Sequence, residues 1–304
     1  YLYIKSMSEK INLIYNKDSD LSIIMKLKVG IVGFGNQGRA QALNLKDSGV
    51  DVYIGLREES GRRQEVVAEG IICQSIKKVV ENCDIISILI PDQVMGDVYK
   101  SEINPYLLDG QTLLFSHGYN IHYNIIQPPK NVNVIMVAPS AGGALVREKY
   151  KEGYGVPTLL AVEQDYSGNG LETAKSYSKA IGGTRVCAFI STFKEETETD
   201  IFGEQAILTG GLPYLINNAY NTLIEKGYDS TVAWFVCYYE VKTIVDLFHS
   251  KGFEAFYSLI SDTARYGGIS RGEKLIDENF NLKLSSMLED IKSGKFNNEL
   301  SKYI

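Results

Sequence analysis

Asp200 and Glu204 lie four residues apart in the stretch Phe193-Lys194-Glu195-Glu196-Thr197-Glu198-Thr199-Asp200-Ile201-Phe202-Gly203-Glu204-Gln205. That spacing puts both carboxylates on one face of a helix. Two carboxylates so placed can hold one hard cation such as Mg2+, which takes oxygen ligands and keeps several waters. Spacing alone leaves the ordinary alternative open, an acidic helix start kept in solvent and favoured by the helix dipole. Glu195, Glu196 and Glu198 are assigned to that alternative. A further carboxylate, Glu240, interrupts the aromatic and apolar run Trp234–Leu247, where a charge needs a partner or a metal. His117 stands at the end of an apolar strand, the edge at which doubly wound sheets bind ligands. A lone histidine there is also commonly a loop or core residue.

A second constellation is Val29-Gly30-Ile31-Val32-Gly33-Phe34-Gly35-Asn36-Gln37-Gly38. Gly33, Gly35 and Gly38 form GxGxxG between a strand and a helix, the context a dinucleotide fingerprint requires. The first glycine permits the turn, the second lets backbone approach a pyrophosphate, and the third lets helix and strand pack closely. Unpaired N–H groups at the helix start then favour the anion. After the second strand the chain reads Leu56-Arg57-Glu58-Glu59-Ser60-Gly61-Arg62-Arg63. An NAD-type site usually places an acid first, whereas here Arg57 comes first. Arg57, Ser60 and Arg62 are candidates to hold a 2′-phosphate, with Glu58 and Glu59 opposing it. NADP(H) is therefore favoured over NAD(H). The plainer alternative for Arg62 and Arg63 is a solvated helix start.

Elements that could position these residues follow from periodicity. Strands are expected at Lys28–Gly33, Val50–Leu56, Asp84–Ile90, Gln111–Phe115, Val132–Ala138, Thr158–Glu163 and Arg185–Ile190. Near-continuous apolar runs such as Ile85–Ile90 suit a mostly parallel sheet covered on both faces. Helical segments such as Gln37–Lys46, Gln74–Asn82 and Gly170–Ala180 alternate with them, so the fold class is α/β, an N-terminal Rossmann-like doubly wound domain. After Thr192 strand signals nearly vanish. Helices are expected at Lys194–Leu208, Leu212–Lys226, Ser230–Ser250, Phe253–Tyr266 and Leu282–Ser293, forming an all-α C-terminal domain. The tail from Lys292 reads as a helix end or frayed terminus. The division is residues 7–191, dinucleotide-binding, and 192–304, helical. Met7 reads as a natural start, with Tyr1–Ser6 extraneous.

Length and charge narrow the partners. The 304 residues carry a net charge of -6, which argues against nucleic acid as the main partner. No apolar run approaches the ~18 residues of a membrane span, and no signal-peptide pattern opens the chain. Cys73, Cys83, Cys187 and Cys237 form no CxxC pair and read as small buried apolar residues of a cytoplasmic, soluble protein.

Several stretches together resemble the ketol-acid reductoisomerase family: Tyr15–Leu21, Gly33–Arg57 with Ala42-Leu43-Asn44-Leu45 inside it, Phe115–His122, Val134–Pro139, Phe193–Glu204 with Gly210-Gly211, Asp262–Gly267 and Arg271-Gly272. The likeness covers about residues 11–298 and resembles the short form. It implies an NADPH- and Mg2+-dependent enzyme that isomerises and reduces 2-hydroxy-2-alkyl-3-keto acids in branched-chain amino-acid synthesis. It also implies a homodimer whose interlocked helical domains share active sites. By resemblance Asp200 bridges two metals, Glu204 holds the first, Glu240 holds the second from the partner, and Ser261 contacts substrate. His117 lies near the nicotinamide. Gly35, Asn36, Gln37, Arg57, Ser60, Asp92 and Gly143 line the cofactor site.

Three positions depart from the family's pattern. Ser140 follows Ala138-Pro139 where the family has lysine; Val236 stands where it has a glutamate one turn before Glu240; Tyr239 replaces a histidine. Val236 cannot ligate a metal, so one ion is expected on Asp200 and Glu204 and the second site lacks a ligand. The family's alkyl shift needs both ions as Lewis acids; hydride transfer needs less. The leading expectation is an oxidoreductase acting on a 2,3-dihydroxy or 2-hydroxy-3-keto acid, repurposed with the shift lost. The alternatives are a ring-forming enzyme that takes hydride out and returns it, as in cyclopropanol formation; an authentic reductoisomerase; and a non-catalytic NAD(P)-binding paralogue.

Overall fold

The computed structural model describes residues 12–303; Tyr1–Ser6 and Met7 lie outside the described residues. The described chain forms two compact units, residues 12–197 and 198–303.

The first unit is built on an eight-stranded sheet in the order β3-β2-β1-β4-β5-β6-β7-β8. The strands are β1 (Lys28–Val32), β2 (Asp51–Gly55), β3 (Ile72–Gln74), β4 (Ile85–Ile88), β5 (Thr112–Phe115), β6 (Asn133–Pro139), β7 (Thr158–Gln164) and β8 (Ala188–Ile190). All pairings are parallel except β6 with β7. Period-two alternation divides the strand residues between two apolar layers. Ile31 joins the layer containing Leu45 and Tyr177, while Val32 joins the one containing Val79 and Met95. Every residue of β4 is buried, which is why its sequence is apolar without alternation.

Around the sheet lie α1 (Leu21–Ile24), α2 (Asn36–Asp47), α3 (Arg63–Ala68), α4 (Ile76–Asn82), α5 (Asp92–Val98), α6 (Tyr119–His122), α7 (Gly143–Lys151) and α8 (Gly170–Ile181). A π-helical turn, Tyr99–Ile103, prolongs α5. The order places β1 between β2 and β4, the topological switch point where a doubly wound sheet opens its crevice. Two differences from the sequence expectation concern edges. The three-residue β3, which ends at Gln74 where the expected helix Gln74–Asn82 begins, was not expected, because a strand so short carries no period. The expected strand Arg185–Ile190 keeps only Ala188–Ile190, with Gly183–Arg185 in a 3-10 turn.

The second unit is helical. α9 (Phe193–Gly203) enters it, followed by α10 (Gly211–Glu225), α11 (Ser230–Trp234), α12 (Glu240–Phe256), α13 (Asp262–Leu275), α14 (Glu278–Lys292) and α15 (Lys295–Tyr303). α12 is broken at Gly252, whose φ is 78°. The expected helix Lys194–Leu208 finishes in a π-helical turn, Glu204–Leu208, and the expected helix Ser230–Ser250 is interrupted by another, Phe235–Tyr239. Glycines let the first of these close, since a Cβ on Gly211 would fall 1.9 Å from the Ala206 carbonyl oxygen. The expected helix Phe253–Tyr266 is split by the Ser261 cap, whose Oγ accepts from Ala264 N at 3.2 Å. The tail is a helix, α15. No helix among the described residues is long and apolar enough to cross a membrane. Cys83 and Cys187 are buried as expected, but Cys73 and Cys237 are only half-buried.

Candidate active site

The glycine turn is a backbone cradle. Gly33 has φ +104°, and a Cβ there would fall 2.5 Å from the Leu89 carbonyl oxygen on the neighbouring β4 exit. Gly38 lies on α2 so close to the turn that its Cβ would come within 2.7 Å of Gly33 O. Nothing stands within 4 Å of a Cβ on Gly35, so the helix start is open. Gly35 caps α2 without a side-chain bond, leaving the first N–H groups of Asn36 and its successors for an anion. The ring of Phe34 is buried at 1% exposure, and its carbonyl accepts from Arg62 Nη1 at 2.7 Å.

A second helix start closes on the first. A Cβ on Gly143, at the beginning of α7, would lie 2.0 Å from Asn36 O. Gln37 Nε2 donates to Ala141 O at 2.8 Å, latching the Ser140–Gly142 loop to the cradle. Ser140 itself is exposed.

After β2, Arg57 Nε donates to Glu102 Oε1 at 3.1 Å, while Arg63 Nη1 donates to Leu56 O at 3.0 Å. Ser60 Oγ accepts from Arg62 N at 3.4 Å within the same turn. After β4, Asp92 starts α5 and its Oδ1 accepts from Asn120 Nδ2 at 3.0 Å. Asn120 Oδ1 is buried with no hydrogen-bond partner. The residues expected to line a cofactor thus gather at the carboxyl ends of β1, β2, β4 and β6.

His117 follows β5 at the same edge. Its Nδ1 lies 2.9 Å from Glu196 Oε1 and 3.1 Å from Oε2. Gly118 N donates to Glu196 Oε2 at 2.7 Å. Glu196 is 6% exposed. Its assignment to a solvated helix start is therefore wrong: α9 docks this turn against the His117 loop so tightly that a Cβ on Gly118 would fall 2.5 Å from Thr197 Oγ1. Glu195 keeps the N-terminal role, its backbone N donating to Thr192 Oγ1 at 3.0 Å. The missed signal was the stripe Glu196, Asp200, Glu204, at four-residue intervals beside Phe193, Thr197 and Ile201, which are buried. In its neutral form a ring facing this carboxylate through Nδ1 would carry its proton there, leaving Nε2 as the basic nitrogen. The neighbouring Tyr119 phenol is held above its ordinary range, chiefly by burial and then by Asp92, so it stays protonated.

In the second unit Asp200 and Glu204 are exposed. Glu204 opens the π-helical turn, and its carbonyl accepts from Thr209 N and Gly210 N at 2.9 and 3.0 Å. Glu240 is exposed at the end of the other π turn, and Ser261 is exposed at the start of α13. Among the described residues, Asp200, Glu204 and Glu240 do not converge as one cluster of ligand atoms.

Comparison with known proteins decides the family. Residues 23–187 match the domain described as acetohydroxy acid isomeroreductase, NADPH-binding domain. Residues 193–303 match the ketol-acid reductoisomerase C-terminal domain. The chain belongs to the ketol-acid reductoisomerase family. It is 46% identical over 291 residues to the ketol-acid reductoisomerase (NADP(+)) of Methanocaldococcus jannaschii, covering 96% of this chain and 88% of that one. It is 48% identical over 282 residues to the enzyme of the same name from Petrotoga mobilis, covering 93% and 86%. An NADH-preferring ketol-acid reductoisomerase from an uncultured archaeon superposes with a TM-score of 0.91 at 39% identity, covering 96% of this chain and 90% of that one. The expected fold and enzyme class, an NAD(P)-dependent oxidoreductase/isomerase of the ketol-acid reductoisomerase family, both hold. More distant oxidoreductases, such as a Cupriavidus necator NAD-binding protein at 16% identity and TM-score 0.68, share the fold alone.

Proposed function

We propose that this ketol-acid reductoisomerase relative acts on a 2-hydroxy-3-keto or 2,3-dihydroxy acid with NADP(H) and one Mg2+, transferring hydride at C3 with the alkyl shift lost. The observation that carries the redox half is the His117 imidazole held by buried Glu196, at the same carboxyl edge of the sheet as the glycine cradle. When bound, the nicotinamide supplies hydride and the cation supplies Lewis acidity.

The residues fit both groups. The cradle has room over Gly35 and N–H groups at the start of α2 that no side chain caps. Asp200 and Glu204 offer oxygen donors only, the chemistry a hard cation takes. Asp200 and Glu204 would hold the ion, and Ser261 would contact the substrate. His117 Nε2 would exchange the proton with the substrate oxygen, while Glu196 keeps the ring oriented and steadies it when charged. Gly33, Gly35, Asn36, Gln37, Gly38, Arg57, Ser60, Arg62, Asp92 and Gly143 would hold the dinucleotide, with Phe34 contributing backbone.

The loss of the shift rests on Val236 and Ser140. An isopropyl group gives the second ion no ligand, and a hydroxymethyl group gives the substrate no positive charge. Identity of 46–48% to named reductoisomerases over nearly the whole chain favours the second reading, an authentic reductoisomerase.

The assembly we propose is a homodimer in which Glu240 serves the partner's site. Within residues 198–303 the buried apolar side chains are Ile201, Ala206, Ala233 and Ile291, while Trp234, Phe235, Val236 and Phe248 are exposed. So small a core does not offset the entropy of ordering such a unit, and a second copy would cover the exposed face.

The test is a panel of 2-hydroxy-3-keto and 2,3-dihydroxy acids followed by nicotinamide absorbance with and without Mg2+. Metal-dependent redox turnover supports the proposal. Cofactor inert to the whole panel would overturn it.

A further inference from the structure

We propose that Glu102 sets the balance between a 2′-phosphate and a 2′-hydroxyl at the adenosine end of the dinucleotide site, by competing for Arg57. The inference rests on the dinucleotide reading above and deepens it.

Three arginines follow β2, and the structure gives them different work. Arg62 and Arg63 turn Nη1 atoms onto the carbonyls of Phe34 and Leu56, which ties this turn to the glycine cradle and to its own strand. Arg57 meets a carboxylate instead, its Nε 3.1 Å from Glu102 Oε1. Both side chains remain open to solvent, at 53% and 32% exposure, so a ligand can reach the pair.

Glu102 belongs to the π-helical turn after α5, not to the β2 turn itself. Buried Tyr99 and Ile103 anchor that turn on either side of it, so the carboxylate is carried by a packed element. The end of β2 reads Gly55-Leu56-Arg57 and lacks the acid that accepts from a ribose 2′-hydroxyl in NAD-type sites. Glu102 brings a carboxylate to the Arg57 guanidinium from a neighbouring crossover. Toward a 2′-hydroxyl it is an acceptor. Toward a 2′-phosphate it is a like charge that also occupies the guanidinium the phosphate needs. Glu58 and Glu59 add negative charge to the same turn but are exposed, and neither is the carboxylate paired with Arg57.

The experiment measures binding. Wild type, Glu102→Gln and Glu59→Gln are titrated by calorimetry with adenosine 2′,5′-bisphosphate and with 5′-AMP, and by nicotinamide fluorescence with NADPH and NADH. In Glu102→Gln the affinity ratio of the 2′-phosphorylated to the unphosphorylated member of each pair should rise roughly three- to tenfold. In Glu59→Gln it should change little. An unchanged ratio in Glu102→Gln, or an equal rise in both variants, overturns the competition. If no nucleotide binds wild type, the dinucleotide reading fails and the inference fails with it.

Discussion

Both carboxylate oxygens of Glu196 lie within hydrogen-bonding distance of one nitrogen of His117, at 2.9 and 3.1 Å. The same carboxylate accepts the Gly118 amide at 2.7 Å. One buried side chain thus fixes both the ring and the backbone of the loop that follows β5. If the imidazole works through Nε2, Glu196→Gln should lower kcat by about 10²-fold while NADPH affinity stays near wild type. Glu196→Ala should also leave the Gly118 amide unsatisfied, at about 1–3 kcal/mol of stability. Steady-state kinetics and thermal denaturation read the two effects separately, and wild-type kcat in Glu196→Gln would remove the positioning role.

Gly143 tests the cradle. Its substitution by alanine puts a Cβ 2.0 Å from Asn36 O and 2.8 Å from Gln37 N, so α7 must move away from the start of α2. NADPH affinity, read by nicotinamide fluorescence, should fall at least about tenfold. Unchanged affinity would mean that the two helix starts do not act together on the pyrophosphate.

The acidic pair on α9 and its π turn should govern metal dependence. Asp200→Asn and Glu204→Gln should each raise the half-saturating Mg2+ concentration for turnover by about tenfold or more. Chelation should stop turnover of the wild type yet leave NADPH binding intact. A variant with the wild-type Mg2+ requirement would exclude that residue as a ligand.

Burial pushes the Cys83 thiol up from 9.0 to about 12, with Asp84 adding to the rise. The folded state then keeps a proton that the unfolded chain releases first. The contribution is present in full below pH 9 and is lost as pH rises toward about 12. Melting temperature measured across that window should therefore fall, and fall less steeply in Cys83→Ala. Parallel slopes in the two proteins would contradict the assignment.

The parallel core of the first unit was legible because strands such as β4 are apolar throughout and the glycine turn sits between strand and helix. The three-residue β3 and the reversed direction of β7 leave no period to read. In the second unit the helices were legible and their irregularities were not. Both π turns are set by how the backbone closes, and each adjoins a carboxylate singled out for its chemistry, Glu204 or Glu240. Glu196 was misassigned because an acid in a first helical turn is ordinarily solvated. What buries this one is the His117 loop, seventy-nine positions away in the chain.

The most direct test of the central proposal is the carbon skeleton of the product. Supplied with 2-hydroxy-2-methyl-3-oxobutanoate, NADPH and Mg2+, the enzyme should consume NADPH and give 2,3-dihydroxy-2-methylbutanoate, the product of reduction without migration, identified by NMR from the position of its methyl groups. Turnover to 2,3-dihydroxy-3-methylbutanoate would mean that the alkyl group moves despite Val236 and Ser140, and would contradict the proposal.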